Sequence, residues 1–238
     1  MKTQNNLAAL LLGVGILLGL TALGTLLGHA VDRFKGYERT VTVKGLAERE
    51  VPADIVIWPI QFTAASNDLP SLYRDIASSS ARIEGFLGEQ GIDPGAVSVS
   101  LPAVTDKSAQ QYGGPKAEFR YTALQTVTVY SKQVDKVRAA MDQLAELGRE
   151  GIAFSQNNYQ GQIEYIFTGL NELKPQMVEQ ATNEARQVAQ KFAEDSDSVL
   201  GKIRRASQGQ FSIVDRDKNN PHIKKVRVVS TVEYYLSD

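Results

Sequence analysis

Three hydrophobic patterns succeed one another along the chain. The first is an unbroken run, Leu7 to Ala30 (LAALLLGVGILLGLTALGTLLGHA), in which only Thr21, Thr25 and His29 are polar and nothing is charged. At ~1.5 Å per residue it makes a helix of roughly 36 Å, enough to cross a hydrocarbon core of about 30 Å with some tilt. The expectation is a transmembrane anchor in residues 1–31, a polar linker over 32–38 and a folded domain over 39–238. The competing reading is a secretory signal cleaved near Ala30, because Lys2 gives a basic start and Gly28-His29-Ala30 a small-x-small site. The run outlasts the usual apolar stretch of about 7 to 15 residues in such signals, which favours a retained anchor. Gly15, Gly19, Gly24 and Gly28 form two GxxxG spacings, the pattern that lets helices approach closely in lipid, although glycine is also common in membrane helices generally. Arg33, Lys35, Arg39 and Lys44 follow the run, where the positive-inside rule favours the cytoplasm. Long domains nevertheless translocate largely regardless of charge, so these counts leave the side on which the domain lies open.

The second and third patterns, periods of two and of 3.6, alternate through the remainder. Arg39 to Ala47 predicts a half-buried strand, Glu48 to Ala53 a turn, and Ile55 to Ser66 a second strand. Pro59 cannot donate to a ladder, which points to an edge or a bulge there. Asn67-Asp68 and Pro70 open a helix whose apolar positions run from Leu69 to Leu87, and Gly91 closes it. Val97 to Thr105 reads as a strand, Asp106 to Glu118 (DKSAQQYGGPKAE) as a hairpin loop or excursion, and Phe119 to Ser131 as the returning strand. Ser131 is the expected cap of a helix ending at Gly148 to Gly151, and Asn158 to Phe167 the next strand. Asn171 caps the longest helix, to about Leu200, with Pro175 early and with Ala181, Ala185, Val188, Ala189, Phe192 and Ala193 facing inward. So many alanines imply close approach to whatever lies beneath. Gly201 closes this helix, Ile203 to Asp215 is a weaker strand, Arg216 to His222 a turn, and Lys224 to Leu236 a well-alternating last strand. The order β-β-α-β-β-α-β-α-β-β predicts α+β, with about three helices on mostly antiparallel sheet.

Composition removes whole classes of chemistry. Beyond residue 30 the chain carries 25 Lys+Arg against 27 Asp+Glu, a net of -2, so the basic face that nucleic acid requires is absent. There is no cysteine, hence no disulfide, thiolate metal site or cysteine nucleophile. His29 sits in the apolar run and His222 in a polar turn, leaving a hydrolase to depend on His222 alone. Glu48, Glu50 and Asp54 lie close together without a nucleophile or metal set beside them, and Glu194, Asp195 and Asp197 lack calcium-loop spacing. Lys202, Arg204 and Arg205, like Lys224, Lys225 and Arg227, fit either anionic headgroups or one side of a half-exposed strand. Trp58, Tyr73, Tyr165, Tyr234 and Tyr235 read as core or subunit-contact residues. No catalytic, cofactor or metal residues are assigned, and no cofactor is expected. Tyr112, Gly113, Gly114 and Pro115, at the centre of the polar loop, are the candidate contact if the domain serves another membrane protein as an accessory or ligand-binding module.

Four separated stretches carry a family likeness: VTVKGLAEREVPADIVIW from Val41, YTALQTVTV from Tyr121, ATNEARQVAQKFAEDSDSVLGKI from Ala181 and VRVVSTVEYYL from Val226. In order and spacing the chain resembles the SIMPL-domain family of bacterial envelope proteins. The resemblance implies a periplasmic or outward-facing domain, homo-oligomers that form ring-like or channel-like particles in some members, and an association with stress tolerance without known catalysis. Gly45-Leu46-Ala47 stands where the family usually has Gly-x-Gly, which suggests an altered turn, and the long apolar start suggests permanent anchoring. The expected partners are therefore membrane lipid, through residues 7–30, and further copies of the chain.

Overall fold

The structure is a computed structural model that describes residues 13–28, 39–109, 118–155 and 162–238. The elements in chain order are helix α1 (13–28), strands β1 (Thr40–Pro52) and β2 (Ile55–Ser66), helix α2 (Leu69–Glu89), strands β3 (Val97–Val99), β4 (Ala103–Asp106) and β5 (Tyr121–Ser131), and helices α3 (Val134–Gln143) and α4 (Ala145–Arg149). Strands β6 (Ala153–Phe154) and β7 (Glu164–Ile166), helix α5 (Leu170–Asp195) and strands β8 (Val199–Gln208), β9 (Ser212–Asp215) and β10 (Ile223–Ser237) complete them. The class is α+β. Contacts divide the chain into two compact units, one of Met1–Glu48, Lys174–Ser212 and Arg227–Asp238, the other of Arg49–Leu173 and Ile213–Val226.

The second unit is built on β2 and β5, which pair antiparallel without a register break from Val56↔Ser131 to Ser66↔Tyr121. β3 and β4 pair with the far side of β5, and β6 and β7 with the far side of β2, all antiparallel. One face of β2 and β5, including Val56, Trp58, Ile60, Phe62, Val127 and Val129, packs on Leu72, Ile83 and Leu87 of α2 and Val137 of α3. Helix α2 forms where its capping signals predict. The Asp68 carboxylate accepts from Ser71 N (3.0 Å) and Ser71 Oγ (2.7 Å), and Pro70 sits in the first turn. At the other end Gly91 takes φ 73° and Ile92 N donates to Leu87 O at 2.9 Å, burying Ile92 beneath the last turn.

In the first unit β10 lies between β1 and β8. β8 pairs antiparallel with β10 from Ser230↔Gln208 to Ser237↔Val199, with register shifts around Tyr234. Along α5, Met177, Ala181, Ala185, Ala189 and Ala193 are wholly buried, and Ala185 and Ala189 share a core with Val43, Val232 and Tyr234. A Cβ on Gly45 would lie 1.8 Å from the Ala181 carbonyl oxygen and 2.5 Å from Ala185 N. Gly45 is thus a contact between two backbones inside β1, and the altered turn expected at Gly45-Leu46-Ala47 is absent because the strand runs straight through it.

Several expected boundaries move, each for a local reason. β1 continues to Pro52 through the stretch expected to turn. Pro59 is neither on an edge strand nor at a bulge. It lies opposite Thr128 in the unbroken β5 ladder, and on its other side it falls between the residues that pair with β7 (Ile55 to Ile57) and with β6 (Phe62, Thr63), where no ladder among the described residues needs a donor. The strand expected over Val97 to Thr105 splits in two at Ser100 to Pro102, where Ser100 instead exchanges bonds with Thr126. β4 and β5 do form the expected antiparallel hairpin. Ser131 accepts from Gln133 N, but the helix it was expected to cap begins only at Val134 and restarts after Leu144, giving two helices for one. α5 starts before Asn171, so Pro175 lies inside it, and it ends at Asp195 because Asp197 turns left-handed (φ 50°) and Ser198 N closes back on Ala193 O at 2.9 Å. Gly201 accordingly belongs to β8, not to a helix end, and the weaker strand resolves into β8 and β9. Val188 and Phe192 are 40% and 55% exposed rather than inward. Of the strand expected over Asn158 to Phe167, Glu164–Ile166 is present and residues 156–161 lie outside the described set.

Candidate functional site

Helix α1 covers residues 13–28 of the apolar run and is exposed along its length. Leu17, Leu20 and Leu26 are 64–69% exposed, and Thr21 and Thr25 turn their hydroxyls back onto the carbonyls of Leu17, Leu18 and Ala22. The side-chain groups most averse to an apolar setting are thereby satisfied within the helix. A Cβ added at Gly15, Gly19, Gly24 or Gly28 would meet nothing within 4 Å. Among the described residues these glycines form open surface. No helix among the described residues is long and apolar enough to cross a membrane; residues 7–12 and 29–30 of the run lie outside the described set. Tyr112, Gly113, Gly114 and Pro115 also lie outside it.

A second exposed region is β8. Among the described residues it is the edge of its sheet beyond β10, and nine of its ten residues are exposed, Leu200 alone packing on the core. Lys202, Arg204 and Arg205 give it three positive charges and no negative one. Arg204 pairs with Glu233 at 2.8 Å and lies 6.0 Å from the Tyr235 ring centre. Gly201 is required where β8 shifts register against β10, since a Cβ there would stand 2.9 Å from Tyr235 O.

The third region is a cleft of about 530 Å³ in the second unit, between α3 (Asp135, Arg138, Met141, Asp142), β7 (Tyr165) and the β9–β10 turn (Lys218, Asn219, His222). The turn is fixed by Asp217, whose carboxylate accepts from the backbone N of Asn219 and Asn220 (both 2.9 Å) and from Arg216 Nε (2.9 Å). These donors hold the Asp217 carboxyl down at about 2. Ala53 N donates to His222 O at 2.8 Å, and the His222 ring meets Tyr165 edge-on, with centroids 6.0 Å apart. Burial, reinforced by the Arg138 and Arg216 cations, lowers the His222 pKa from its ordinary value, while burial raises that of Tyr165. His222 is therefore neutral near pH 7 and able to accept a proton. Yet no serine or threonine is among the described residues lining the cleft, so an imidazole base there has no such hydroxyl to activate.

The remaining candidates are taken up by structure. Glu48 pairs with Arg227 (3.2 Å), Glu50 lies 3.8 Å from Arg216, and Asp54 accepts from Thr168 N and Oγ1 (both 2.8 Å). Glu194 pairs with Lys191 at 3.0 Å, and among the described residues no group of three or more His, Asp or Glu side chains is placed to hold a metal. Lys224 pairs with Asp215 beside the turn. Trp58 and Tyr234 are core residues, whereas Tyr73 is half exposed. What the sequence did not single out is the doubly exposed edge of β8. Its only trace there was the lack of clean alternation from Ile203 onward.

The chain matches, over residues 41–232, the SIMPL family model, described as a protein of unknown function (DUF541). No curated protein matches the chain.

Proposed function

We propose, from the premise that the chain belongs to the SIMPL family, that it is a non-catalytic envelope protein, held at a bilayer by its N-terminal apolar segment and working as an assembly of copies. The observation that carries this reading is the pairing of an uncharged 24-residue run (Leu7 to Ala30) with a folded part that leaves an edge strand exposed. An exposed helix of leucines and glycines has no stable place in water, because apolar surface of that extent seeks lipid or another helix. The two glycine pairs on opposite faces of α1, Gly15 with Gly19 and Gly24 with Gly28, support helix–helix contact within the bilayer, and the exposed β8 supports contact between folded parts. On this reading the folded part faces the periplasm, and its role is to scaffold or protect the envelope. The described residues supply binding surfaces more readily than a reaction centre, since the one cleft with a histidine offers a base without a serine or threonine beside it. Native mass measurement of the full chain extracted in detergent tests the proposal. Multimers persisting on dilution are expected, whereas a strict monomer at every concentration overturns it.

A further inference from the structure

Strand β8 is joined to β10 on one side and, among the described residues, to no strand on the other. Such an edge presents a row of unused N–H and C=O groups, and natural sheets usually shorten, bend or cover it. Here the edge is ten residues long and, past Leu200, exposed on both faces, with Val199 60% and Ile203 49% exposed. The same sheet has a second edge, β1. Within the first unit the exposed side of β1 carries Thr42, Lys44, Leu46 and Glu48.

Charge selects between the ways two copies could use these edges. Pairing β8 with β8 about a two-fold axis would line up Lys202, Arg204 and Arg205 of both copies, and like charges across a ladder are destabilising. Glu233, opposite Arg205 on β10, bridges Arg204, while Lys202 and Arg205 form no ion pair among the described residues, so the strand keeps a net positive charge. β1 between Thr40 and Glu48 carries one lysine and one glutamate, and it opposes the basic strand with no net charge. Joining unlike edges also uses both free edges of every copy, whereas a two-fold contact leaves one open.

We infer that β8 of one copy adds to β1 of a second copy, head to tail, so that the sheet of the first unit continues from chain to chain; this rests on the self-association reading and gives it an interface. The backbone indicates a fold-neutral probe. Gly209 N donates to Val229 O, and the register from Gln208 to Ala206 is unbroken, so the Ala206 amide, three residues back, points away from β10 to the free edge. Ala206→Pro removes that donor without touching the β10 ladder.

The absence of cysteine makes cross-linking specific. Full-length Thr42→Cys and Ser207→Cys chains, distinguished by mass and mixed in detergent, are treated with a short bifunctional maleimide. Mixed dimers joining the two variants are expected, with little product from either alone. Ala206→Pro is expected to weaken assembly about tenfold, the effect of one lost intermolecular hydrogen bond, with an unchanged melting curve. Cross-linking of Ser207→Cys chains to one another overturns the inference in favour of a two-fold contact. Persistent multimers with no mixed product and no response to Ala206→Pro overturn it while leaving self-association standing. A strict monomer overturns both.

Discussion

In the second unit the space between helix and sheet is filled by Trp58, Phe62, Leu72 and Leu87, whereas in the first α5 reaches β1 with little more than Gly45 and the alanines at 181 and 185 between the two backbones. The former gains its stability from buried apolar volume. The latter also buries Met177, Val228, Val232 and Tyr234, but where α5 meets β1 it relies on close contact along the Ala181, Ala185, Ala189 and Ala193 ladder, where dispersion acts over short distances. The difference teaches that opposite substitutions should be dangerous in the two units: enlargement in the first and truncation in the second.

The strongest way to break this comparison is Gly45→Val. Its Cβ must displace the Ala181 carbonyl, which is backbone and cannot rotate aside, so a loss of at least about 4 kcal/mol is expected. Hydrogen exchange should show protection collapsing in β1, α5 and β10 first; protection lost equally everywhere would mean that the units unfold as one block. Phe62→Ala is the reciprocal test. Removing a fully buried ring from β2 should cost about 3–5 kcal/mol, with exchange rising first in β2, β5 and α2. Ala189→Leu should cost about 1–3 kcal/mol by overfilling the alanine face, and a stabilised variant would show that the face is looser than described.

The smallest effect sharpens the comparison through pH. His222 belongs to the second unit, and its folded pKa lies below the ordinary value because burial and two arginines disfavour the cation. An unfolded chain therefore binds the proton more readily. The contribution of neutral His222 is full above about pH 6.5 and is lost as pH falls below it toward the folded pKa. NMR titration of the His222 ring should give a midpoint below 6.5, and exchange near β7 and the β9–β10 turn should rise on mild acidification while α5 stays protected. His222→Gln should abolish that response.

Much of this architecture was legible in the sequence where one residue carries one local duty. Asp68, Pro70 and Gly91 set the ends of α2 because capping and left-handed geometry are local demands. The alternation from Lys224 onward marked the buried side of β10, down to the buried Ser230 within it. Where pairing or packing decides, the pattern was ambiguous. Pro59 looked like an edge because the strands that flank β2 on that side, β6 and β7, come from residues about a hundred positions away. Val188 and Phe192 satisfied helical spacing, but a face made of alanine is so narrow that neighbouring apolar positions fall beside it. The edge on β8 could not be seen from spacing at all, since exposure on both faces removes the periodicity that identifies a strand. The catalytic candidates resolved differently. Glu48, Glu50 and Asp54 are adjacent in sequence but each takes its own partner, and only coordinates separate such a set.

The seam between Gly45 and α5 bears on how a saturation scan of this chain should be interpreted. Nearly every replacement at Gly45 and along the four alanines should score as damaging, in the same way that replacements in an enzyme's reaction centre do. Here such intolerance would measure clearance between two main chains, and the positions with the severest scores would be the wrong place to look for a substrate.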